Sequence, residues 1–435
     1  MENIVVIGGG LMGTSATWKL AERGAKVTLI ERQEEDYLHG SSFGTARISR
    51  SLGPKKDVFS YAHNTTVKEL GNLIDFLNAE NPKEKHAIED IYATSPVSYL
   101  FHRNQYDTID SFRFKKQKKD FNRASQSSAF RKFGMTIPDN TILVREKRQY
   151  SGTLNPTELL KKLRLGIAKK GGQIKYGHEV TGLVKKAGGF EISILNTKTK
   201  KTSALKAKKV IVAAGPYTVS ILKEFAPYFN RVITPKKIAI SYLKIKDERY
   251  GQLTETEKKT IHNAFPFFSQ IGKEYFAVIS KPEKNTSPVF KAGGHQKRRN
   301  IHDLDKVWTD EPRKKELKWI RKQFKKHFKM LEIYLSKKDI EEVKSYYCVY
   351  SDTRSKSPLV TPIFNKSGSL DRNIIVIGGM SGVGAKGCLC YGSLGADLML
   401  GKEGKPKKMY RKLLNVFSNP SVNLYTRRAK RGRLF

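Results

Sequence analysis

The chain has 435 residues, 38% hydrophobic and 10% aromatic, which excludes disorder throughout and suits two domains better than one. It carries 82 Lys and Arg against 41 Asp and Glu, a net charge of +41. Such a field attracts nucleic acid, anionic lipid or acidic substrates, but it speaks to association and not to fold, and lysines dispersed over solvated faces are the simpler reading. The three cysteines, Cys348, Cys388 and Cys390, make no disulfide framework, so a reducing, cytoplasmic setting is expected. Met1-Glu2-Asn3 lacks the basic region of a secretory signal, and Arg-Leu-Phe at the end differs from a Ser-Lys-Leu address. No apolar run reaches the roughly 18 residues of a membrane span. No metal is expected.

In chain order, Ile4 to Ile7 is a short apolar run, read as a buried parallel strand. A glycine loop and a helix from about Met12 to Arg23 follow, with Gly24 as the helix stop. Lys26 to Ile30 is the second strand, with Glu31 at its tip. The stretch Phe101 to Phe133 is basic, rich in Ser, Gln and Asn, and poorly periodic, which predicts a surface loop or insertion. A helix is expected near Thr157–Lys170, then buried strands at Val210 to Ala214 and Ile374 to Ile377. Leu317, Ile320, Phe324, Phe328 and Leu331 recur at helical intervals within a helix near Pro312–Leu335, whose Lys and Arg residues form its outer, solvated face. Cys388 and Cys390 read as two packed thiols on a helix after a second glycine loop. Gly401 onward is basic again and is expected to be a tail.

Gly8-Gly9-Gly10-Leu11-Met12-Gly13 fits G-x-G-x-x-G, follows a strand and opens a helix. Gly8 permits the tight turn, Gly10 lets the backbone approach a pyrophosphate, and Gly13 lets helix and strand pack closely. The helix N-terminus favours the negative charge. Glu31, 18 residues after Gly13, is at the spacing of a ribose-binding acid, which selects FAD or NAD over NADP.

Several further blocks carry a resemblance: His39-Gly40-Ser41-Ser42-Phe43-Gly44-Thr45-Ala46-Arg47-Ile48-Ser49-Arg50, Ser151-Gly152-Thr153-Leu154, Val212-Ala213-Ala214-Gly215, Lys291-Ala292-Gly293-Gly294-His295, Cys348-Val349-Tyr350-Ser351-Asp352-Thr353, and Gly378 to Lys386 within Asn373–Leu400. Together they resemble the D-amino-acid-oxidase-like superfamily of FAD-dependent amine and amino-acid oxidases, most closely monomeric sarcosine oxidase and N-methyltryptophan oxidase. The resemblance touches most of the chain and is weakest over 85–150 and 240–345. It implies FAD attached through a thioether at Cys348, a step that needs a thiolate. It also implies a cofactor site on Gly8, Gly10, Leu11, Met12, Gly13, Glu31, Arg32, Ser41, Gly215, Cys348, Gly379, Gly382 and Gly384. Lys291 takes the place of a lysine beside flavin N5 that promotes reaction with oxygen, paired with His295. Arg47 takes that of an arginine beside the flavin ring, and Tyr350 that of a substrate-side tyrosine. Arg50 with Lys386 takes the place of the cations that hold a substrate carboxylate. The helix after Lys386 would direct its positive end at the flavin.

There are departures. Phe43 stands where sarcosine oxidase has histidine, and Tyr275-Phe276 aligns with a tyrosine pair whose second hydroxyl is lost. Both border the substrate side in the family, which puts sarcosine itself in doubt.

The expected fold is α/β, a Rossmann-like FAD-binding domain (1–85, 150–222, 346–402) interleaved with a mixed-sheet substrate domain (86–149, 223–345), followed by a basic C-terminal tail (403–435). The expected activity is oxidation of a carboxylate-bearing amine, with oxygen as second substrate and hydrogen peroxide as product. Two alternatives stay open: a flavin dehydrogenase with a different acceptor, and a flavoprotein that acts on or binds RNA.

Overall fold

The computed structural model describes residues 3–37, 40–50, 58–105, 121–146, 151–224, 226–280, 286–301, 303–365 and 369–402. The apolar run Ile4–Ile7 forms β1. It pairs in parallel with β2 (Val27–Ile30) on one side and with Lys209–Val212 on the other. These strands lie inside a six-stranded sheet ordered Leu359–Phe364, Leu370–Gly378, Lys209–Val212, β1, β2, Gln173–Lys175. Its neighbours are parallel except at the Leu359–Phe364 edge.

Alternation along β1 explains why the whole run is apolar. Ile4 and Val6 face a core shared with α1 (Leu11–Glu22) and the helix Cys388–Leu400. Val5 and Ile7 face the opposite way, onto Leu183, Phe190, Ile192 and Ile194 of a three-stranded antiparallel sheet. With both faces covered, no polar side remains to be read in the sequence. Cys388 and Cys390 are packed in this helix layer, and burial pushes both thiols up to about 12.

The other large sheet is nine-stranded and mixed. Ile233–Ile245 at its heart pairs with Ile340–Thr353 along its whole length, from Ile233↔Thr353 to Ile245↔Ile340, and with Val289–Gly294 on the other edge. Phe267–Ser269 joins Ser98–His102 in parallel, and the remaining pairs are antiparallel. The helix Lys314–Met330 covers one face through Ile320, Phe324 and Phe328. Thus the α/β class with a Rossmann-like sheet and a separate mixed sheet is as expected.

Two local expectations change. Residues Phe121–Ser125 form a strand and Gln126–Phe133 a helix, and Phe101 is buried in the strand Ser98–His102, so these parts are not loop. Ladder hydrogen bonds to Thr141–Glu146 and burial of Ala124 and Ala129 override a composition that reads as irregular. The late helix stops at Met330 because Leu331 caps it and the chain turns into Ile333, which is buried. The tail 403–435 lies outside the described residues, as does His39. Among the described residues no helix is long and apolar enough to cross a membrane.

One buried base sets a pH dependence. His327 is 1% exposed, stacked 3.8 Å from the Phe267 ring, and neither ring nitrogen has a hydrogen-bond partner among the described residues. Burial lowers its pKa from 6.5 to about 3. Between those values the unfolded chain binds the proton and the folded chain does not, so stability falls as pH drops below 6.5, by up to about 1.4 kcal/mol per pH unit. His327→Leu is expected to lose less melting temperature than the parent between pH 7 and 5. Parallel melting curves over that range would contradict it.

Candidate active site and dinucleotide cleft

A cleft of about 1210 Å³ runs between the C-terminal ends of β1 and β2 and one face of the mixed sheet. Every site residue expected from the sequence lines it except Gly13 and Gly379, which stand immediately behind. At the β1 end the glycines are required by close approach. Gly8 has φ +103°, and a Cβ there would meet the Ala213 carbonyl oxygen at 2.7 Å. A Cβ at Gly13 would lie 1.8 Å from the Gly8 oxygen. Gly10 leads directly into α1, and Leu11 N donates to Ser42 Oγ at 3.0 Å. Glu31 accepts from Gly9 N at 2.5 Å and from Gln33 N at 2.9 Å, so its carboxylate is fixed beside the loop. A side-chain-free backbone, a helix N-terminus and an adjacent acid fit the pyrophosphate and ribose of FAD.

The segment 40–50 forms the cleft's inner edge. Ser41 Oγ donates to Val349 O at 2.5 Å and so ties this segment to the mixed sheet. Arg47 bends back onto its own loop and donates to the carbonyls of Phe43 (2.5 Å), Ala46 (2.9 Å) and Ser41 (3.2 Å). Lys291 Nζ donates to the same Ala46 carbonyl at 3.3 Å.

The roof is the mixed sheet's inner face. Ile238, Ile240 and Tyr242 alternate onto it, with Cys348 opposite Ile238, Tyr350 opposite Lys236 and Lys291 opposite Tyr242. The same rule sends Ala239, Leu243, Phe290, Ala292 and Tyr347 to the core under Lys314–Met330. Phe276, opposite Gly293, lines the cleft, whereas Tyr275 is buried in the core, so only one of that pair borders the site. Cys348 is buried, and Lys291 is within electrostatic reach of it. Burial, then Arg47 and Lys344, hold the Lys291 pKa well below the ordinary lysine value. Burial raises the Tyr350 hydroxyl. Its ring fills the space beside Gly382, where φ is +85° and a Cβ would stand 2.6 Å from Tyr350 Cε2. Ser381 locks this second glycine loop to the roof: its N–H donates to Ser351 O, and its Oγ accepts from Thr353 N, both at 2.9 Å.

Arg50 and Lys386 line the same cleft from neighbouring segments. The turn Ala385–Gly387 lies against β3 (Arg47–Ser49), the strand that leads into Arg50. The Arg50 guanidinium lies 4.3 Å from the centroid of Phe268 and 5.5 Å from that of Tyr99. The Tyr99 hydroxyl donates to buried Glu146. Lys386 is buried, 5.8 Å from the Phe59 ring.

One polar chain on the cleft wall was not foreseen. Glu274 contacts Nδ1 of His295, and Arg298 Nη2 lies 3.2 Å from Nδ1 and 3.3 Å from Nε2. Burial first, and then the Arg298 guanidinium, push the His295 pKa down to about 3. The ring is therefore neutral, with Nδ1–H donating to Glu274. Arg298 Nη1 donates to both oxygens of buried Asp352, at 2.7 and 2.9 Å, and Lys356 pairs with the same carboxylate. Arg298 is also 5.4 Å from the Tyr350 ring. Asp352 stood inside a recognised block, and its burial in a strand is the one signal that asked for a cationic partner.

Comparison with known proteins identifies the family and the fold. Residues 3–398 match the DAO family model, described as FAD dependent oxidoreductase. The chain is 26% identical over 412 residues to a probable sarcosine oxidase of Arabidopsis thaliana, covering 92% of this chain and 88% of that one. It is 23% identical over 303 residues to N-methyl-L-tryptophan oxidase of Yersinia pestis, covering 67% and 70%. Among solved structures, L-proline dehydrogenase from P. horikoshii superposes with a TM-score of 0.69 at 16% identity, covering 100% of this chain and 99% of that one. NikD, an amino acid oxidase of nikkomycin biosynthesis, does so at 0.67 and 16%, covering 94% and 97%. The glycine cradle, the acid beside it and a family match over nearly the whole described chain lead to one conclusion: the protein belongs to the DAO family of FAD-dependent oxidoreductases.

Proposed function

We propose that the chain oxidises the C–N bond of a carboxylate-bearing amine, a secondary or cyclic amine or an N-methyl amino acid, with oxygen as the electron acceptor. The observation that carries this reading is that Arg50, Lys386, Lys291 and Cys348 all line a single cleft. FAD, held by the glycine loop Gly8–Gly13 and Glu31, would supply two-electron oxidation of the C–N bond and delivery of those electrons, with two protons, to oxygen as hydrogen peroxide.

The protein's own residues bind, orient and polarise. Arg50 and Lys386 hold the substrate carboxylate. Phe268, Phe276, Ile240 and Val278 line the cleft beside them and exclude water from the amine's carbon skeleton. Tyr350, fixed between Gly382 and Arg298, closes one side. The amine enters neutral and leaves as an imine, which water hydrolyses or which stays cyclic. Lys291, with its depressed pKa, gains most from protonation when negative charge develops on oxygen beside it, so a cation forms where it is needed. Cys348 supplies the sulfur for a thioether to the flavin.

The test is a panel of N-methyl, cyclic and primary amino acids, with coupled measurement of amine loss and peroxide. Peroxide formed in step with a secondary or cyclic amine supports the reading. Turnover with a dye acceptor and none with oxygen would replace it by a dehydrogenase. Turnover confined to tRNA would remove the small-molecule substrate.

Arg50→Ala is expected to raise the substrate KM by roughly 10- to 100-fold, the size of a lost charge-assisted contact. An unchanged KM takes Arg50 out of the carboxylate site. In stopped flow, Lys291→Met is expected to slow reoxidation by oxygen about 100-fold, with flavin reduction changed only a few-fold. Equal slowing of both half-reactions contradicts the role given to Lys291.

A further inference from the structure

A turn from the mixed sheet reaches the opposite end of the cleft. Residues 303–310 connect Arg299–Asn300 to the helix Lys314–Met330. The turn is pre-formed by its own side chains. Asp303 Oδ1 accepts from the N–H groups of Asp305 (3.0 Å) and Lys306 (3.2 Å), and Thr309 Oγ1 donates to Lys306 O at 3.0 Å. Val307, 1% exposed, anchors it from beneath.

Its far side grips the dinucleotide end. Trp308 Nε1 donates to Tyr217 Oη at 3.1 Å. The Tyr217 hydroxyl in turn has the Leu304 carbonyl at 3.2 Å and Asp305 Oδ1 at 3.3 Å as acceptors. Arg32 lies 4.4 Å over the Tyr217 ring and pairs with Asp305 at 3.4 Å. Arg32 directly follows Glu31, whose carboxylate is fixed beside the glycine loop. Three segments distant in sequence therefore meet at the point where the ribose acid ends: the exit of β2, the Gly215-Pro216-Tyr217 turn, and the 303–310 turn. Tyr217, Trp308 and Arg32 all line the cleft, and neither aromatic ring belongs to the buried apolar cores. Half-buried aromatic rings held by hydrogen bonds, with a cation between them and the ribose acid, are chemistry for a flat purine and the phosphate next to it.

The geometry points to the 303–310 turn as a clasp on the adenylate half of FAD, with Trp308 and Tyr217 supplying the aromatic surface and Arg32 the cation. The mixed sheet thereby contributes to both ends of the cofactor, through its roof at one end and through this turn at the other. Because Arg32 and Tyr217 are already bridged by Asp305, the clasp is assembled before the dinucleotide arrives, and less ordering is needed on binding.

The test uses the full chain carrying Cys348→Ser, so that flavin binding is reversible, and measures equilibrium binding of FAD and of FMN, which lacks the adenylate, by flavin fluorescence. FAD binding to this parent checks the cofactor assignment itself, separately from the clasp. Adding Trp308→Ala is expected to weaken FAD roughly 10-fold or more, the scale of a lost aromatic contact to a base, and to leave FMN unchanged. Tyr217→Phe keeps the ring and removes the tie to Leu304 and Trp308, and a smaller loss confined to FAD is expected. Equal weakening of FAD and FMN would show that Trp308 only supports the fold, and no loss of FAD affinity in either variant would overturn the clasp.

Discussion

The site depends on the register between Ile233–Ile245 and Ile340–Thr353. Both faces of this pair are used: one closes the core over Lys314–Met330, and the other roofs the cleft. Because side chains alternate, a slip of one residue would carry Cys348 and Tyr350 into the core and turn Tyr347 toward the cofactor. The register is therefore held by the apolar cost of that exchange, paid on both faces at once. Val289–Gly294 adds Lys291 to the roof by the same rule, opposite Tyr242.

Electrostatics follow from this placement. The cleft gathers Arg47, Arg50, Lys291, Arg298 and Lys386 around the space for an anionic cofactor. A buried acid offsets part of this charge: Asp352 holds Arg298 and Lys356. Lys291 is buried, and burial first, then the charges of Arg47 and Lys344, depress its pKa. The cluster of cations is thus graded, with some firmly paired and one poised to take a proton.

How much of this was legible in the sequence depended on distance along the chain. The β1–α1–β2 unit was readable because its signals are local: an apolar run, glycines at fixed spacing and an acid at the next strand's tip. The roof residues Lys291, Cys348 and Tyr350 were named through motif resemblance, and the structure brings them onto one face of one sheet. Contacts made across long loops gave no local signal. Arg298 and Asp352 are 54 residues apart, and Trp308 and Tyr217 are 91 apart, and each pair is defined only by folding. The strand and helix at 121–133 were missed because tertiary pairing overrides a polar composition. For Tyr275 and Phe276 the period of two held the answer: adjacent residues on a strand face opposite ways, so the pair could not both border the substrate.

We propose that Cys348, on the roof of the cleft, carries the flavin, and the most direct measurement is acid precipitation followed by mass mapping of the flavin. The account predicts that the yellow colour stays with the precipitated protein and that the flavin mass maps to the peptide containing Cys348. Flavin released into the supernatant, or found on a peptide without Cys348, would contradict it.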